Sequence, residues 1–332
     1  MRSILKSSNL LKQSLNTFNR SAFAARANYS SAADGAKSGN SNLLLGALAV
    51  AAGAGSYYYF SGNEAKVAAK SENKSDDLLL SPKEFKSFKL KEVQDINYNT
   101  KLFRFELPVD RSLDLPVASC VVTRAPGKNG KNVIRPYTPT SEENAKGHFD
   151  FIIKHYEGGP MSTHIHNLKV GDTLEVKGPF PKYFYKANTI DEAGLIAGGT
   201  GITPMLQLIR KILDNPADKT KINLIFANNT TKDILLKDEL DKLAKQHADR
   251  FKVKYVIAKQ ESGWTGDVGF VTKDLIKKTL QGSQNKDSMV FVCGPDPMIN
   301  VLSGPKNPDK SQGELGGILK ELGYTSENVY KF

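Results

Sequence analysis

Residues 194–213 read GLIAGGTGITPMLQLIRKIL. The first part is an apolar strand-like run that ends in the glycine-rich turn Gly198-Gly199-Thr200-Gly201, and the second part, from Thr203-Pro204 onward, is helix-like. The same grammar recurs after Asp191: KINLIFA is followed by LKDELDKLAKQ, FKVKYVIA by TKDLIKKTL, and MVFVCG by PDPMINVL. Strands alternating with helices specify a parallel sheet covered on both faces. The C-terminal part of the chain, 189–332, is therefore expected to be a Rossmann-like nucleotide-binding domain.

Upstream the pattern differs. From about Pro82 the runs FKSFKLKEV, LFRFELP, SCVVTR, GHFDFIIKHY and DTLEVKGP are short and alternating or continuously apolar, with Pro, Gly, Asn and Asp between them. Five or six such strands in about 100 residues predict a small antiparallel barrel over 81–188. Residues 61–80 are small, polar and charged, as a flexible linker would be.

The run NLLLGALAVAAGAGSYYYF, residues 42–60, carries no charge. Its length suits one membrane crossing, and Tyr57, Tyr58 and Tyr59 stand where an interfacial aromatic belt would lie. Its Ala/Gly content also fits a buried helix or a cleavable sorting signal. Residues 1–41 begin with a long basic stretch rich in Ser, Leu and Asn, the composition of a mitochondrial targeting segment.

The 332 residues carry a net charge of +11. The segment before position 61 supplies +5, leaving +6 for the rest, which suits an acidic protein partner or an anionic cofactor. No block of clustered Arg/Lys with interleaved aromatics appears, which speaks against nucleic acid. Cys120 and Cys293, with five scattered histidines, form no metal-ligand spacing and no disulfide framework.

Four constellations carry chemistry. Arg135-Pro136-Tyr137-Thr138-Pro139 lies at a strand end in the barrel: Arg is a forked donor for a pyrophosphate, Tyr offers a face and a hydroxyl, and Thr a hydroxyl able to reach a ring nitrogen. Alone it reads equally well as a Pro-containing strand edge. Gly158-Gly159-Pro160-Met161-Ser162 leads into a short helix whose first turn exposes backbone N–H groups to an anion. Together the two imply a dinucleotide held along the barrel. Gly198-Gly199-Thr200-Gly201-Ile202-Thr203-Pro204 turns from strand to helix where a second nucleotide would sit, although its spacing is not the usual dinucleotide fingerprint. Cys293-Gly294-Pro295-Asp296-Pro297-Met298 ends an apolar strand beside it, and Cys293 there also reads as an ordinary buried small hydrophobe.

These four segments in this order resemble the ferredoxin reductase superfamily, and within it the NADH–cytochrome b5 reductase family; the likeness covers about residues 82–332, and the basic presequence with an anchor resembles the family's mitochondrial fungal form. The resemblance implies an enzyme with FAD on the barrel, NADH on the parallel sheet, and cytochrome b5 as the one-electron acceptor, placed at the mitochondrial outer membrane or intermembrane space. It implies that Arg135, Tyr137 and Thr138 hold the FAD pyrophosphate, ribityl chain and isoalloxazine, with Pro136 between them and Thr138 near the flavin N5. Lys154 and Tyr156, after Ile153, would flank both cofactor sites. Gly159, Met161 and Ser162 would bind the FAD phosphates, and Thr203 would lie against the flavin. Gly198, Gly199, Thr200 and Gly201 would receive NADH, Cys293, Gly294 and Pro295 would flank the nicotinamide, and Met298 the nucleotide beyond. Thr138 and Cys293 are the two implied catalytic positions.

Three residues depart from the family pattern. Cys120 stands where relatives often have His, Pro160 where some carry Lys, and Thr265 after Trp264 where some have an Asp that would select against a 2′-phosphate. Lys182 and Lys186 near the domain junction are candidates for steering an acidic partner. A sister reductase with a quinone or radical acceptor, or a tethered adaptor without turnover, are the rival readings.

Overall fold

The computed structural model describes residues 79–127, 130–280 and 287–332. The basic segment 1–41, the apolar run 42–60 and all but the end of the linker 61–80 lie outside the described residues. Among the described residues no helix is long and apolar enough to cross a membrane.

Two six-stranded sheets follow one another along the chain. The first comprises β1 (Lys86–Asn97), β2 (Thr100–Glu106), β3 (Ser119–Pro126), β4 (Asn132–Tyr137), β5 (His148–Lys154) and β6 (Thr173–Pro181). Its order is β4-β3-β6-β1-β2-β5, with every pairing antiparallel. Alternation places Phe103 opposite Phe151 and Phe105 opposite Phe149 in the β2–β5 ladder. All four rings are fully buried, and Phe105 and Phe149 stack with centroids 5.4 Å apart. Burying one such side chain stabilises by roughly 1.5–3 kcal/mol, so this face fixes the register.

The strand order runs from one edge, β4, to another, β5, rather than around a ring. The edges nevertheless meet: the Tyr137 ring of β4 lies 5.8 Å from Phe151 of β5, and just past β4 the Thr140 N–H donates to the Asp150 carbonyl at 2.9 Å. The expected barrel is thus a curled antiparallel sheet that joins beyond the end of its edge strand. A Pro at position 136 explains why β4 stays an edge, since it has no N–H to give a further neighbour.

A short helix, α1 (Pro160–His166), links β5 to β6. The second sheet then comprises β7 (Glu192–Gly198), β8 (Lys221–Asn228), β9 (Phe251–Ile257), β10 (Asp267–Val268), β11 (Ser288–Cys293) and β12 (Val329–Lys331). Its order is β10-β9-β8-β7-β11-β12 and all its pairs are parallel. Helices α2 (Ile202–Leu213) and α3 (Lys237–Gln246) cover one face; α4 (Lys273–Thr279), α5 (Asp296–Ser303) and α6 (Gly317–Glu321) cover the other. The two-residue β10 and three-residue β12 are too short to show a period.

The sheets share a core. Ala118 and Ile152 from the first sheet's region belong to the cluster built on α2, β7 and β8, with Tyr183 and Tyr185 packed against it. Polar bonds from α2 add to this seam: Gln207 Nε2 donates to the Pro139 carbonyl at 3.0 Å, and Arg210 donates to the Thr140 carbonyl.

Candidate functional site

In the parallel sheet the chain leaves β7 for β8 on one side, while β11 lies on the other, so the strand order reverses between β7 and β11. The carboxyl ends of two such strands open a crevice in which the backbone can take a nucleotide. The Gly198–Gly201 turn leaves β7 there and Cys293-Gly294 leaves β11. Their contact is tight: a Cβ on Gly201 would collide with the Cys293 carbonyl, and one on Gly198 would lie 2.5 Å from Met298 Sδ. Gly199, at φ +52, has no neighbour within 4 Å of its missing Cβ, so the turn is closed on one side and open on the other.

Cys293 is half-buried, and burial pushes its thiol up to about 12, so it is neutral at pH 7. It lines the crevice as a small polarizable group and is no thiolate nucleophile. Cys120 is buried and free, its thiol likewise raised by burial.

On the antiparallel side, Arg135 and Pro136 are exposed on edge strand β4, and Tyr137 and Thr138 are half-buried. The Arg135 guanidinium donates to its neighbour's carbonyl, Ile134 O, at 2.8 Å, and forms no ion pair among the described residues. Burial pushes the Tyr137 phenol up to about 12, so its hydroxyl stays protonated. The edge therefore presents an uncommitted cation, a ring and two hydroxyls in a row.

The loop 158–162 is organised by its serine. Ser162 is buried; its Oγ accepts from the Tyr156 N–H at 3.1 Å and donates to the Gly159 carbonyl at 3.1 Å. That hydroxyl holds the loop, while Met161 is 2% exposed and packs into the sheet core. Ile153 also points into that core, and its carbonyl accepts from His166 Nε2 at 2.9 Å. At Met161 and Ser162 the loop offers backbone N–H groups and no free side chain.

Two residues join the halves of the site. The Tyr156 hydroxyl meets Thr200 Oγ1 at 3.1 Å, linking the end of β5 to the glycine turn; Thr203, buried, donates to the Thr200 carbonyl at 3.2 Å. Lys154 Nζ donates to Asp233 Oδ1 at 3.0 Å. Asp233, 5% exposed, also accepts from the Tyr98 hydroxyl at 2.8 Å and from Thr230 at 2.7 Å. Burial alone would raise its carboxyl, but the bonds from Thr230, Lys154 and Tyr98 outweigh it and hold the group below the usual range. Asp233 and α2's Gln207 and Arg210 were not singled out in the sequence. The only local signal was the i, i+3 spacing of Gln207 and Arg210 on a largely apolar helix.

A groove of about 620 Å³ lies elsewhere, between the 139–144 loop and α2. Lys211 pairs with Glu143 across it at 2.7 Å, and Arg210 with Glu239 of α3 at 2.6 Å. Of the four motifs it touches only Pro139.

An antiparallel sheet with an exposed basic edge, joined to a parallel sheet with a glycine-lined switch point, defines a two-nucleotide oxidoreductase of the ferredoxin reductase fold. Family models agree: residues 87–185 match the oxidoreductase FAD-binding domain and 195–303 the oxidoreductase NAD-binding domain. NADH-cytochrome b5 reductase 2 of Coccidioides immitis is 47% identical over 293 residues, 87% of this chain and 90% of that protein. The protein of the same name from Botryotinia fuckeliana is 45% identical over 328 residues, 91% and 94% of the two chains. Among solved structures, the cytochrome b5 reductase domain of Ulva prolifera nitrate reductase is 35% identical, with a TM-score of 0.67 over 76% of this chain and 99% of that one. The chain belongs to the NADH–cytochrome b5 reductase family.

Proposed function

We propose that this protein oxidises NADH through a bound FAD and passes the electrons singly to cytochrome b5. The observation that carries this reading is the Tyr156–Thr200 contact, which joins the end of β5 in the antiparallel sheet to the glycine turn beside Cys293. When bound, FAD supplies the chemistry that couples a two-electron donor to a one-electron acceptor. The chain supplies position and electrostatics.

Arg135 is an uncommitted fork for a pyrophosphate, a charge-assisted contact stronger than a neutral one. Tyr137 offers a protonated hydroxyl and Thr138 a hydroxyl to a flavin ring nitrogen. Gly159, Met161 and Ser162 serve through their backbone, with the Ser162 hydroxyl holding the loop. Gly198 to Gly201 let a second nucleotide approach the main chain, while Cys293, Gly294 and Pro295 wall the nicotinamide and Met298 backs the glycines. Lys154 acts by tying β5 to Asp233. Lys182 and Lys186 lie exposed near the junction and give an acidic haem protein a positive approach. Residues 42–60 anchor the enzyme in the mitochondrial outer membrane, directed there by the basic presequence; their uncharged apolar length and the acid-poor composition ahead of them support this.

The test is an anaerobic titration. The purified protein should be yellow, its flavin band should bleach with NADH, and cytochrome b5 should restore the band as its haem is reduced. A bleached flavin that cytochrome b5 leaves unchanged would remove the acceptor assignment; a colourless protein would remove the whole reading.

A further inference from the structure

The ladder between β3 and β4 runs from Pro126↔Asn132 to Val121↔Tyr137 and stops there. Carried two residues further, the same register sets Ser119 opposite Pro139, with Thr138 between that pair and the last rung. Ser119 is buried, so its N–H needs a partner. Pro139 has no N–H, so a backbone rung at this step could carry only one bond. A side-chain amide makes two: Gln207 Oε1 accepts from the Ser119 N–H at 3.2 Å, and Gln207 Nε2 donates to the Pro139 carbonyl at 3.0 Å.

Gln207 belongs to α2, the helix that leaves the glycine turn of the parallel sheet. One turn earlier on the same face, Thr203 donates to the Thr200 carbonyl in that turn at 3.2 Å. One turn later, Arg210 donates to the Thr140 carbonyl and is itself held by Glu239 Oε1 at 2.8 Å. The helix has little freedom to shift, because Ile202, Met205, Leu208, Ile209 and Ile212 are all fully buried. Thr138 is therefore fixed from both sides. The β3–β4 ladder holds the residue before it, and α2 holds the two carbonyls after it.

We propose that Gln207 is a positioning residue for hydride transfer: by supplying the rung after Tyr137 from α2, it sets Thr138 at a fixed distance from the glycine turn. The proposal rests on the NADH-to-FAD reading above, in which Thr138 meets the flavin and the turn meets NADH.

The experiment uses the full FAD-loaded chain with Gln207→Met and Gln207→Glu, at about pH 8, where a glutamate is ionised. Methionine keeps the length and helix propensity of the side chain and makes neither bond. Glutamate keeps an acceptor for Ser119 and loses the donor to Pro139. One readout needs no turnover: hydrogen exchange at the Ser119 amide should quicken about tenfold in Gln207→Met and stay near wild type in Gln207→Glu. The second is the stopped-flow rate of flavin reduction per bound FAD at saturating NADH. It should fall about tenfold in both variants, because Thr138 loses its fixed place and the reacting geometry loosens. The third is the Kd for NAD+, which should stay within about twofold, since the glycine turn is untouched. An unchanged saturated rate in Gln207→Glu, or a loss that excess NADH makes up, would overturn the proposal. So would Ser119 exchange that Gln207→Met leaves as it was. Should Gln207→Met not fold, Gln207→Glu, which keeps the Ser119 bond, decides by rate and NAD+ affinity. A wild-type flavin that NADH does not bleach would strike the underlying reading instead.

Discussion

The two sheets build their halves of the site from opposite materials. On the antiparallel sheet the site is made of side chains: Arg135, Tyr137 and Thr138 stand along or just past an edge strand whose residues are mostly exposed. On the parallel sheet it is made of backbone, where two strand ends approach so closely that Gly201 has no room for a Cβ against Cys293. A side-chain site loses affinity in steps as groups are removed, while a backbone site tolerates no added atom at the closest approach. The first is tuned by chemistry and the second by shape.

The sharpest way to break the contrast is Gly201→Ala. Its methyl meets main chain that cannot rotate away, so we expect a loss of about 3 kcal/mol in stability, the upper range for overpacking. NADH-dependent flavin reduction should fall while the FAD retained per folded molecule stays near normal. Thermal melts and flavin content check this; a variant that reduces flavin at the normal rate would show that the turn opens without cost.

Next in size is the seam between the halves. Asp233→Asn removes the charge that Lys154, Tyr98 and Thr230 address. Breaking a buried pair costs several kcal/mol, but Lys154 retains some exposure, so about 2.5 kcal/mol is expected. The pH dependence gives the sign. The folded carboxyl is held below its ordinary range, so its contribution is complete above about pH 4 and is lost as pH falls through the lowered value. Denaturant melts of the wild type should weaken through that acid window, and the Asn variant should lack this component.

Arg135→Ala tests the side-chain half alone. Losing a charge-assisted fork should weaken FAD binding by about 2 kcal/mol and lower flavin occupancy, with little change in the melting of the apoprotein, because this guanidinium pairs with no carboxylate among the described residues. Normal FAD content would remove the edge strand from the FAD site.

The smallest effect is at Thr265, exposed after Trp264, whose Nε1 donates to the Asp267 carbonyl at 3.1 Å. Thr265→Asp should shift the NADH over NADPH ratio of kcat/KM by about 1 kcal/mol towards NADH, by adding a ribose acceptor that repels a 2′-phosphate. A ratio that does not move would place Thr265 away from the ribose.

Much of the architecture was legible because it is local. Alternating aromatics such as Phe103/Phe105 and Phe149/Phe151 announced the antiparallel strands. Apolar runs followed by helical spacing announced β7 with α2 and β11 with α5, and the glycine turns marked where those strands end. The local pattern did not reveal that β4 and β5 do not pair and that the first sheet joins only past β4, where Thr140 and Ser141 meet Asp150, because closure depends on curvature. The resemblance named Ile153, Met161 and Ser162 among the cofactor residues; the side chains of the first two fill the core and that of the third holds its loop.

The sequence by itself determined the two sheet types, their order and the four segments that bear polar or glycine chemistry. These follow from periods of 2 and 3.6 residues and from the freedom of glycine, properties that act within one strand or one turn. Only the tertiary structure decided which distant groups meet: Lys154 with Asp233, 79 residues apart, Gly201 with Cys293, and Lys331 with carbonyls 17 to 28 residues before it. Those partners are set by strand order and by which edge a short strand joins. A single amide or ammonium can satisfy many alternative carbonyls equally well, so its own residue type does not name the one it finds.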